Sequence, residues 1–331
     1  MDNLCHLLVG AALGEAGLKR RTRFGNATLM IASNLPDVDV LAFATSTPSV
    51  ALRRGWTHGV LGQALLPILL TGVLLAVAQR RRARDPSTSL GASPSTSLGP
   101  SPSTSLGASV NPPIRARELL LLSYIGVIIH VLMDLLNNYG VRLLMPFERR
   151  WFYGDAVFIF DPWLWLVLGT GLVIAWRRHS PAAARSALVV ALAYVLAMVV
   201  SARAAREVIV ERWKAVDGRA PLALMVGPVP VNPLTRDVII DAGDHYETGT
   251  FTWQPRRVQF DQATVAKHDR DPHVAAARNA PNIRAFLVWS RFPFWTIEPT
   301  PEGTRVTVGD LRFAGQGAAV RAFTQSTVVP D

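Results

Sequence analysis

Two ionisable residues, His130 and Asp134, lie four positions apart in the apolar stretch IIHVLMDLLNNYG at residues 128–140. In a helix, side chains at i and i+4 lie on the same face, one turn apart. An imidazole and a carboxylate placed in this way form half of a metal site. Asn137 and Asn138 extend the polar face by another turn. The alternative is a hydrogen-bonded pair in a soluble core, but ionisable residues inside a long apolar segment are costly and usually functional.

The N-terminal part of the chain contains candidates for the remaining ligands. His6 lies in the short apolar helix predicted for NLCHLLVGAALGEAGL, where Gly10 leaves room for a second helix beside it. Asp37 and Asp39 lie in LPDVD, and His58 directly precedes another apolar run. We expect Asp37 rather than Asp39 to face the metal, because it follows the proline at a helix break.

Histidine and aspartate form a ligand set that suits Zn²⁺ first, then Mn²⁺ or Fe²⁺, bound as one ion or as two. Such an ion activates water for hydrolysis without a protein nucleophile. The predicted metal ligands are His6, Asp37, His58, His130 and Asp134, with Asp37, Asp39 and His58 as the catalytic residues. Within the sequence there is no HExxH, GxSxG, P-loop or GxGxxG motif that would indicate another chemistry.

The composition indicates a membrane protein. Hydrophobic residues make up 50% of the 331 residues, and the mean hydropathy is +0.24. A helix that spans a bilayer needs about 20 apolar residues. Four runs are predicted to span: residues 60–78, 119–136, 163–176 and 186–202, the third being short but extendable backward through VFIFDP.

The net charge of +10 is carried mainly by arginines at the ends of these runs. That distribution indicates orientation in a membrane rather than nucleic-acid binding, and no nucleic-acid partner is expected. Counting Lys and Arg at the span ends places the metal site and the C-terminal domain on the extracytoplasmic side of the inner membrane. Some arginines on that side count against this orientation, or bind an anionic substrate instead; they are Arg53, Arg54, Arg142, Arg149 and Arg150.

Two segments predict the domain organisation. The hexapeptide PSTSLG occurs three times between residues 85 and 113 with an eight-residue period, and its composition predicts a disordered insert. From residue 206 onward, short β-rich runs alternate with Gly, Pro, Asn and Asp. The expected fold is mainly α, with a multi-pass helical membrane domain at 1–205 and a β-rich (α+β) extramembrane domain at 206–331.

The motifs taken together resemble a known family. His6 with Gly10, LPDVD at 35–39, RGWTHG at 54–59, HVLMDLLNNYG at 130–140 and YGDAVFIFDPWLW at 153–165 are similar to the YdjM-type membrane-bound metal-dependent hydrolases. The resemblance covers nearly the whole chain apart from the insert. It implies that further residues of these motifs contact the metal ligands or the substrate; they are Asp39, Arg54, Asn137, Tyr139, Asp155 and Asp161.

The order of His, Asp, His and HxxxD also resembles zinc-dependent phospholipase C, which implies phosphoester substrates, including lipid ones. The chain differs from that pattern in its membrane spans and in lacking a full ligand set for three metal ions.

Three functions remain open from the sequence. The first is hydrolysis of an ester or phosphoester in a membrane-associated small molecule or lipid. The second is divalent-cation transport, because intramembrane His and Asp also line ion paths. A path needs polar residues at several depths, however, and the runs 60–78 and 186–202 carry no charge. The third is a non-catalytic membrane scaffold that presents its outer domain to a protein partner.

Overall fold

The computed structural model describes residues 1–44, 49–84, 113–314 and 323–330, so the predicted insert lies outside the described residues except for its last position. An N-terminal helical part is followed by antiparallel sheets. Its helices are α1 (Asn3–Glu15), α2 (Gly25–Ala32), α3 (Ser49–Leu52), α4 (Val60–Arg84), α5 (Ala116–Leu135), α6 (Pro162–Arg177) and α7 (Pro181–Asp217). A 3-10 helix at Leu35–Ala44 contains the LPDVD motif.

In the described residues, three helices are long and apolar enough to cross a membrane, namely α4 over Val60–Arg81, α5 and α7. Large apolar side chains are exposed along them, including Leu69 at 62% and Val189 at 67%. Exposed apolar surface of this extent indicates a site of interaction, and on long apolar helices the fitting partner is lipid.

Helix α6 begins at Pro162, one residue before the predicted run 163–176. It has 16 residues and does not extend backward through VFIFDP. The reason is local: the side chain of Asp161 accepts hydrogen bonds from the backbone N–H groups of Trp163 and Leu164, and Pro162 occupies the first turn. Both features favour a helix start at this point.

Helices α1 and α5 approach α2 closely at glycines. A Cβ atom on Gly10 would lie 2.4 Å from the Ser33 hydroxyl oxygen and 2.8 Å from the Leu29 carbonyl oxygen. A Cβ atom on Gly126 would lie 2.5 Å from the Cβ of Ala32. Only glycine permits these approaches, and the prediction that Gly10 makes room for another helix is confirmed.

Helix α7 continues without a break across residue 205, where the sequence predicted a domain boundary. It ends at Asp217, followed by Gly218 with φ 79°, the left-handed conformation in which glycine is favoured. Ala205, Ile209 and Trp213 in its second half pack against the sheet of β1–β5. The division at residue 205 stays a prediction, and the last turns of α7 share a core with the strands.

The remaining described residues form strands and short helices. Strands β1 (Ala223–Pro228), β2 (Thr235–Asp241), β3 (His245–Trp253), β4 (Arg256–Phe260) and β5 (Val265–Ala266) form one antiparallel sheet. Strands β6 (Pro293–Thr300), β7 (Gly303–Asp310) and β8 (Thr324–Val329) form the other. Helices α8 (Pro272–Ala277) and α9 (Pro281–Leu287) share the core of the second sheet, around Trp289 and Trp295. The prediction of a C-terminal β-rich region is therefore confirmed.

Candidate metal centre

His130 and Asp134 lie on one face of α5, and both side chains are fully buried. The Nδ1 atom of His130 lies 2.7 Å from the carbonyl oxygen of Ser33, the residue that ends α2. A carbonyl oxygen only accepts, so Nδ1 carries the proton and Nε2 keeps its lone pair. That Nε2 atom lies 3.5 Å from Oδ2 of Asp134. The end of α2 therefore directs the free nitrogen of His130 toward the carboxylate.

His58 reaches the same point from the turn before α4. Its Nε2 atom lies 3.1 Å from Nε2 of His130 and 3.2 Å from Oδ2 of Asp134. On the other side of the ring, Nδ1 lies 2.9 Å from the Thr57 hydroxyl. Two imidazole nitrogens and a carboxylate oxygen thus converge, although they come from segments 72 residues apart in the chain.

Asp39 contacts the Nδ1 edge of the His58 ring, which faces away from His130 and Asp134. Its Oδ2 atom lies 3.4 Å from Nδ1 of His58 and accepts hydrogen bonds from the Arg54 backbone N–H at 2.7 Å and the Thr57 hydroxyl at 3.0 Å. Burial alone would raise the pKa of the Asp39 carboxyl, but the contacts with His58 and the Arg54 amide hold it below its ordinary value. Asp39 is therefore placed to stay charged and to fix the orientation of the imidazole.

The Asp37 carboxylate completes a group of four buried side chains. Its Oδ1 atom lies 3.7 Å from Nε2 of His58 and 3.8 Å from Nε2 of His130. This buried oxygen has no hydrogen-bond partner among the described residues. One donor atom from each of Asp37, His58, His130 and Asp134 lies within 4.8 Å of all the others.

The spacing of these donor atoms fits one tetrahedral ion. Metal–ligand bonds of 2.0–2.1 Å hold tetrahedral ligand atoms about 3.4 Å apart. For five of the six pairs of donor atoms the distance runs from 3.1 to 3.8 Å, and the sixth pair, between Asp37 and Asp134, lies within 4.8 Å. Imidazole nitrogens and carboxylate oxygens are also the donors that zinc and related divalent ions accept. The four residues could therefore hold a divalent metal.

His6 contacts the same aspartate from the other side. Its Nε2 atom lies 3.3 Å from Oδ1 of Asp134, and its ring stacks on His130 with centroids 3.9 Å apart. The Nη2 atom of Arg54 lies 3.1 Å from that same Oδ1. A second ion beside His6 would face the Arg54 guanidinium, and His6 contacts the carboxylate oxygen of Asp134 that does not face His58 and His130.

Arg54, Asn137 and Tyr139 form a layer next to the carboxylates. The Oδ1 atom of Asn137 accepts hydrogen bonds from Nη1 of Arg54 at 3.0 Å and from the Tyr139 backbone N–H at 2.9 Å. The Arg54 guanidinium lies over the Tyr139 ring, 4.6 Å from its centroid. Asn137 thus orders both the turn after α5 and the arginine that reaches Asp134.

A cavity of about 520 Å³ lies beside this layer and is called the site cavity below. Arg53 and Arg54 line it together with Tyr139, Phe160 and Trp165. On the other side, Asp37 lines an open groove of about 420 Å³, here called the apolar groove, whose other walls include Leu7, Met30, Ile31, Leu35 and Val38. Asn3 borders both spaces.

Two residues of the β-rich part hold the turn after α5 in place. The indole N–H of Trp289 donates to the Tyr139 carbonyl at 3.2 Å, and the two rings lie 4.9 Å apart. Nη1 of Arg312 donates to the Asn138 carbonyl at 2.8 Å. The candidate metal centre therefore depends on residues 150 or more positions away in the chain.

Asp155 and Asp161 are not in the group of four, and their contact with the metal ligands or the substrate stays a prediction. Both carboxylate oxygens of Asp155 accept a hydrogen bond from Nη1 of Arg291, at 2.9 and 3.0 Å. Asp161 caps α6 and accepts a hydrogen bond from the Tyr194 hydroxyl at 3.0 Å. The carboxylate of Asp155 thus forms an ion pair, and the carboxylate of Asp161 stabilises the start of α6.

Sequence reasoning missed four residues that orient the centre: Ser33, Thr57, Trp289 and Arg312. Thr57 could have been found, because it directly precedes His58 in RGWTHG. Ser33 accepts the His130 hydrogen bond through its main-chain carbonyl, and since every residue has such a carbonyl, the residue type gives no signal. Trp289 and Arg312 act from so far along the chain that no spacing rule points to them.

The apolar helices and the buried His–Asp group define a membrane protein with a candidate metal centre. The chain belongs to the YdjM inner membrane protein family, whose model matches residues 1–205. The matched range includes every residue of the four-membered group.

The chain is also similar to the uncharacterized protein YfhP of Bacillus subtilis (strain 168). The two are 20% identical over 329 residues, which cover 96% of this chain and 88% of YfhP. The similarity to YfhP thus extends through the β-rich part as well. No solved structure gives a significant match.

Proposed function

We propose that this protein is a multi-pass membrane hydrolase that uses one divalent metal ion to cleave an ester or phosphoester of a membrane-associated substrate. The observation that carries the proposal is the convergence of four buried donor atoms within 4.8 Å of one another, including Oδ1 of Asp37, which accepts no hydrogen bond from the described residues. Membership of an inner membrane protein family supports the location.

In this proposal Asp37, His58, His130 and Asp134 hold the ion, which we expect to be Zn²⁺, with Mn²⁺ or Fe²⁺ as alternatives. A divalent ion in such a site lowers the pKa of bound water toward neutrality and polarises a carbonyl or phosphoryl oxygen. Asp39 positions His58, and His6 positions Asp134, in the way that hydrogen-bond partners orient metal ligands in other proteins.

The two spaces beside the centre support a substrate with an anionic group and an apolar portion. Arg53 and Arg54 line the site cavity and can bind a phosphate or carboxylate, since guanidinium groups match the geometry of both anions. The apolar groove reaches Asp37 along α1 and α2, where Leu7 and Ile31 are exposed. A lipid fits both features, with its acyl chains in the groove.

We further propose that α4, α5, the shorter apolar helix α6 and α7 cross the inner membrane and that the centre lies near its extracytoplasmic face. In this arrangement residues 1–205 form the membrane domain and residues 206–331 the extramembrane domain. The arginine-rich end of α4 supports this orientation through the positive-inside rule.

Metal analysis of the detergent-purified protein tests the proposal. The wild type should contain about one equivalent of zinc, manganese or iron, and Asp134→Asn should lose most of it, because an amide cannot supply the carboxylate charge. Asp161→Asn is the matched control: asparagine also caps helices well, so its metal content should equal that of the wild type. Full metal content in a folded Asp134→Asn variant would refute the site.

Hydrolysis is tested separately with phospholipid vesicles and with soluble aryl esters and aryl phosphates. Metal-dependent product release that disappears in Asp134→Asn but persists in Asp161→Asn is the expected result. Stoichiometric metal without cleavage of any of these substrates would favour the cation transporter or the non-catalytic scaffold.

A further inference from the structure

A second cavity, of about 600 Å³, is lined by none of the four residues of the candidate metal centre. It is called the basic cavity below. Its walls come from residues 150–155, from α7 around Arg203 and Arg206, and from Val226 and Arg291 in the β-rich part. It therefore lies where α7 leaves its apolar portion and meets the first sheet.

Positive charge dominates the lining of the basic cavity. Four arginines face one carboxylate, that of Asp155. Both oxygens of Asp155 are already paired with Arg291. In the part of the chain that the structure describes, Arg150, Arg203 and Arg206 form no ion pair. Three positive charges around this cavity are thus not neutralised by the protein itself.

Two of the arginines, Arg206 and Arg291, are held close together because they share one backbone acceptor. Nη1 of Arg206 and Nη2 of Arg291 both donate to the Leu224 carbonyl oxygen, at 2.9 and 3.0 Å. Buried Arg236 donates to the Asp155 and Ala156 carbonyls next to the cavity. Like charges held this close repel one another, and a bound anion relieves the repulsion.

The position of the basic cavity points to the level of lipid headgroups. Arg203 and Arg206 directly follow the apolar run 186–202 of α7, and Trp151 and Tyr153 line the opposite wall. Arginine and aromatic residues at the end of a spanning helix are typical of the membrane–water interface. Arginines there attract anionic headgroups, and guanidinium groups bind phosphate oxygens in pairs.

We propose that the basic cavity binds a phosphate group, and that the phosphate belongs to the headgroup of an anionic phospholipid beside α7. This inference uses α7 as a membrane helix but is independent of the metal centre and of hydrolysis. A bound lipid would connect α7, residues 150–155 and the first sheet through one shared ligand.

Native mass spectrometry of the detergent-purified full chain tests this by counting bound ligands. Phosphatidylglycerol, phosphatidylcholine and inorganic phosphate are added in separate titrations. Arg150→Gln/Arg203→Gln removes two charges from side chains that are exposed and donate no hydrogen bond to the described backbone, so the fold should be retained. We expect this variant to bind one phosphatidylglycerol molecule about 10- to 100-fold more weakly than the wild type does.

Arg256→Gln/Arg257→Gln is the matched control, because it removes the same charge from exposed residues of β4. It should bind phosphatidylglycerol like the wild type. Loss of inorganic phosphate but not of lipid in the Arg150→Gln/Arg203→Gln variant would support a phosphate site while assigning it to a soluble ligand. Equal binding of lipid and phosphate by this variant and the wild type would overturn the proposal, as would equal affinity of the wild type for phosphatidylcholine.

Discussion

At the residue scale, Asp37 and Asp39 contact different edges of the His58 ring, although they are only two positions apart in the sequence. Asp37 directs an oxygen at His58 and His130, whereas Asp39 contacts the opposite edge of the His58 ring. Their roles should therefore differ, although they share one motif and one 3-10 helix.

We expect Asp37→Asn to abolish stoichiometric metal binding, since it removes a charged ligand. Asp39→Asn should weaken metal affinity only about 10–100-fold, the usual effect of losing a group that orients a ligand. Competition with a chelator of known zinc affinity measures both. A larger loss in Asp39→Asn than in Asp37→Asn would reverse the assignment of the two residues.

A buried ion pair in the β-rich part offers a second residue-scale prediction. Asp310 and Arg312 are both fully buried and lie 2.8 Å apart. Asp310→Asn leaves the Arg312 charge without its partner and should destabilise the fold by about 3–5 kcal/mol. Thermal unfolding in detergent measures this. Asp244→Asn, which removes an exposed carboxylate, should unfold at the wild-type temperature.

The same pair predicts a dependence of stability on pH. Burial alone would raise the pKa of the Asp310 carboxyl, but Arg312 and the hydrogen bond from Ser290 hold it below its ordinary value of 3.8. A depressed pKa in the folded state stabilises the fold above the unfolded pKa. This contribution should be present at neutral pH and be lost as the pH falls from 3.8 toward the lower folded value. Unfolding in acid should show a smaller decline in Asp310→Asn than in the wild type.

At the scale of elements, the position of α2 decides the orientation of His130. The end of α2 supplies the Ser33 carbonyl, and α2 can lie there only because Gly10 and Gly126 allow close approach. A methyl group at either glycine must displace backbone atoms of α2 and move that carbonyl.

Gly10→Ala should therefore destabilise the helical part by about 1–3 kcal/mol, as overpacking does, and also weaken metal binding. Gly72→Ala in α4 is the matched control, because a Cβ atom there meets nothing within 4 Å. Thermal unfolding and metal content, measured together, distinguish the two. Unchanged metal affinity in a destabilised Gly10→Ala variant would show that α2 does not determine the orientation of the His130 imidazole.

The elements differ in how far the sequence predicts them. Helices α4, α5 and α7 follow from long apolar runs, and the candidate metal ligands on α5 follow from the i, i+4 spacing. Helix α6 begins one residue before the predicted run 163–176, and Asp161 followed by Pro162 is the helix-start signal that excludes the longer, backward-extended helix. The contacts of Trp289 and Arg312 with the turn after α5 depend on the tertiary fold, which local pattern does not encode.

At the scale of the whole molecule, the PSTSLG repeats connect the ends of α4 and α5. Their disorder stays a prediction, since they lie outside the described residues. Deleting residues 86–107 should leave unfolding temperature and metal content unchanged, because long surface loops tolerate shortening. A Gly/Ser linker of equal length in the same place is the control. A lower unfolding temperature in both variants would show that the repeats pack against the protein.

Helix α7 runs unbroken from the apolar part to the residues that pack against the first sheet. Its 37 residues make a rod about 55 Å long, which exceeds the hydrocarbon thickness of a bilayer by about 25 Å. Tilting the first sheet would therefore require tilting α7, which would strain the contacts of Arg312 and Trp289 with the turn after α5. The β-rich part is thus mechanically coupled to the candidate metal centre, and the two should unfold in a single cooperative transition when thermal unfolding is followed by circular dichroism.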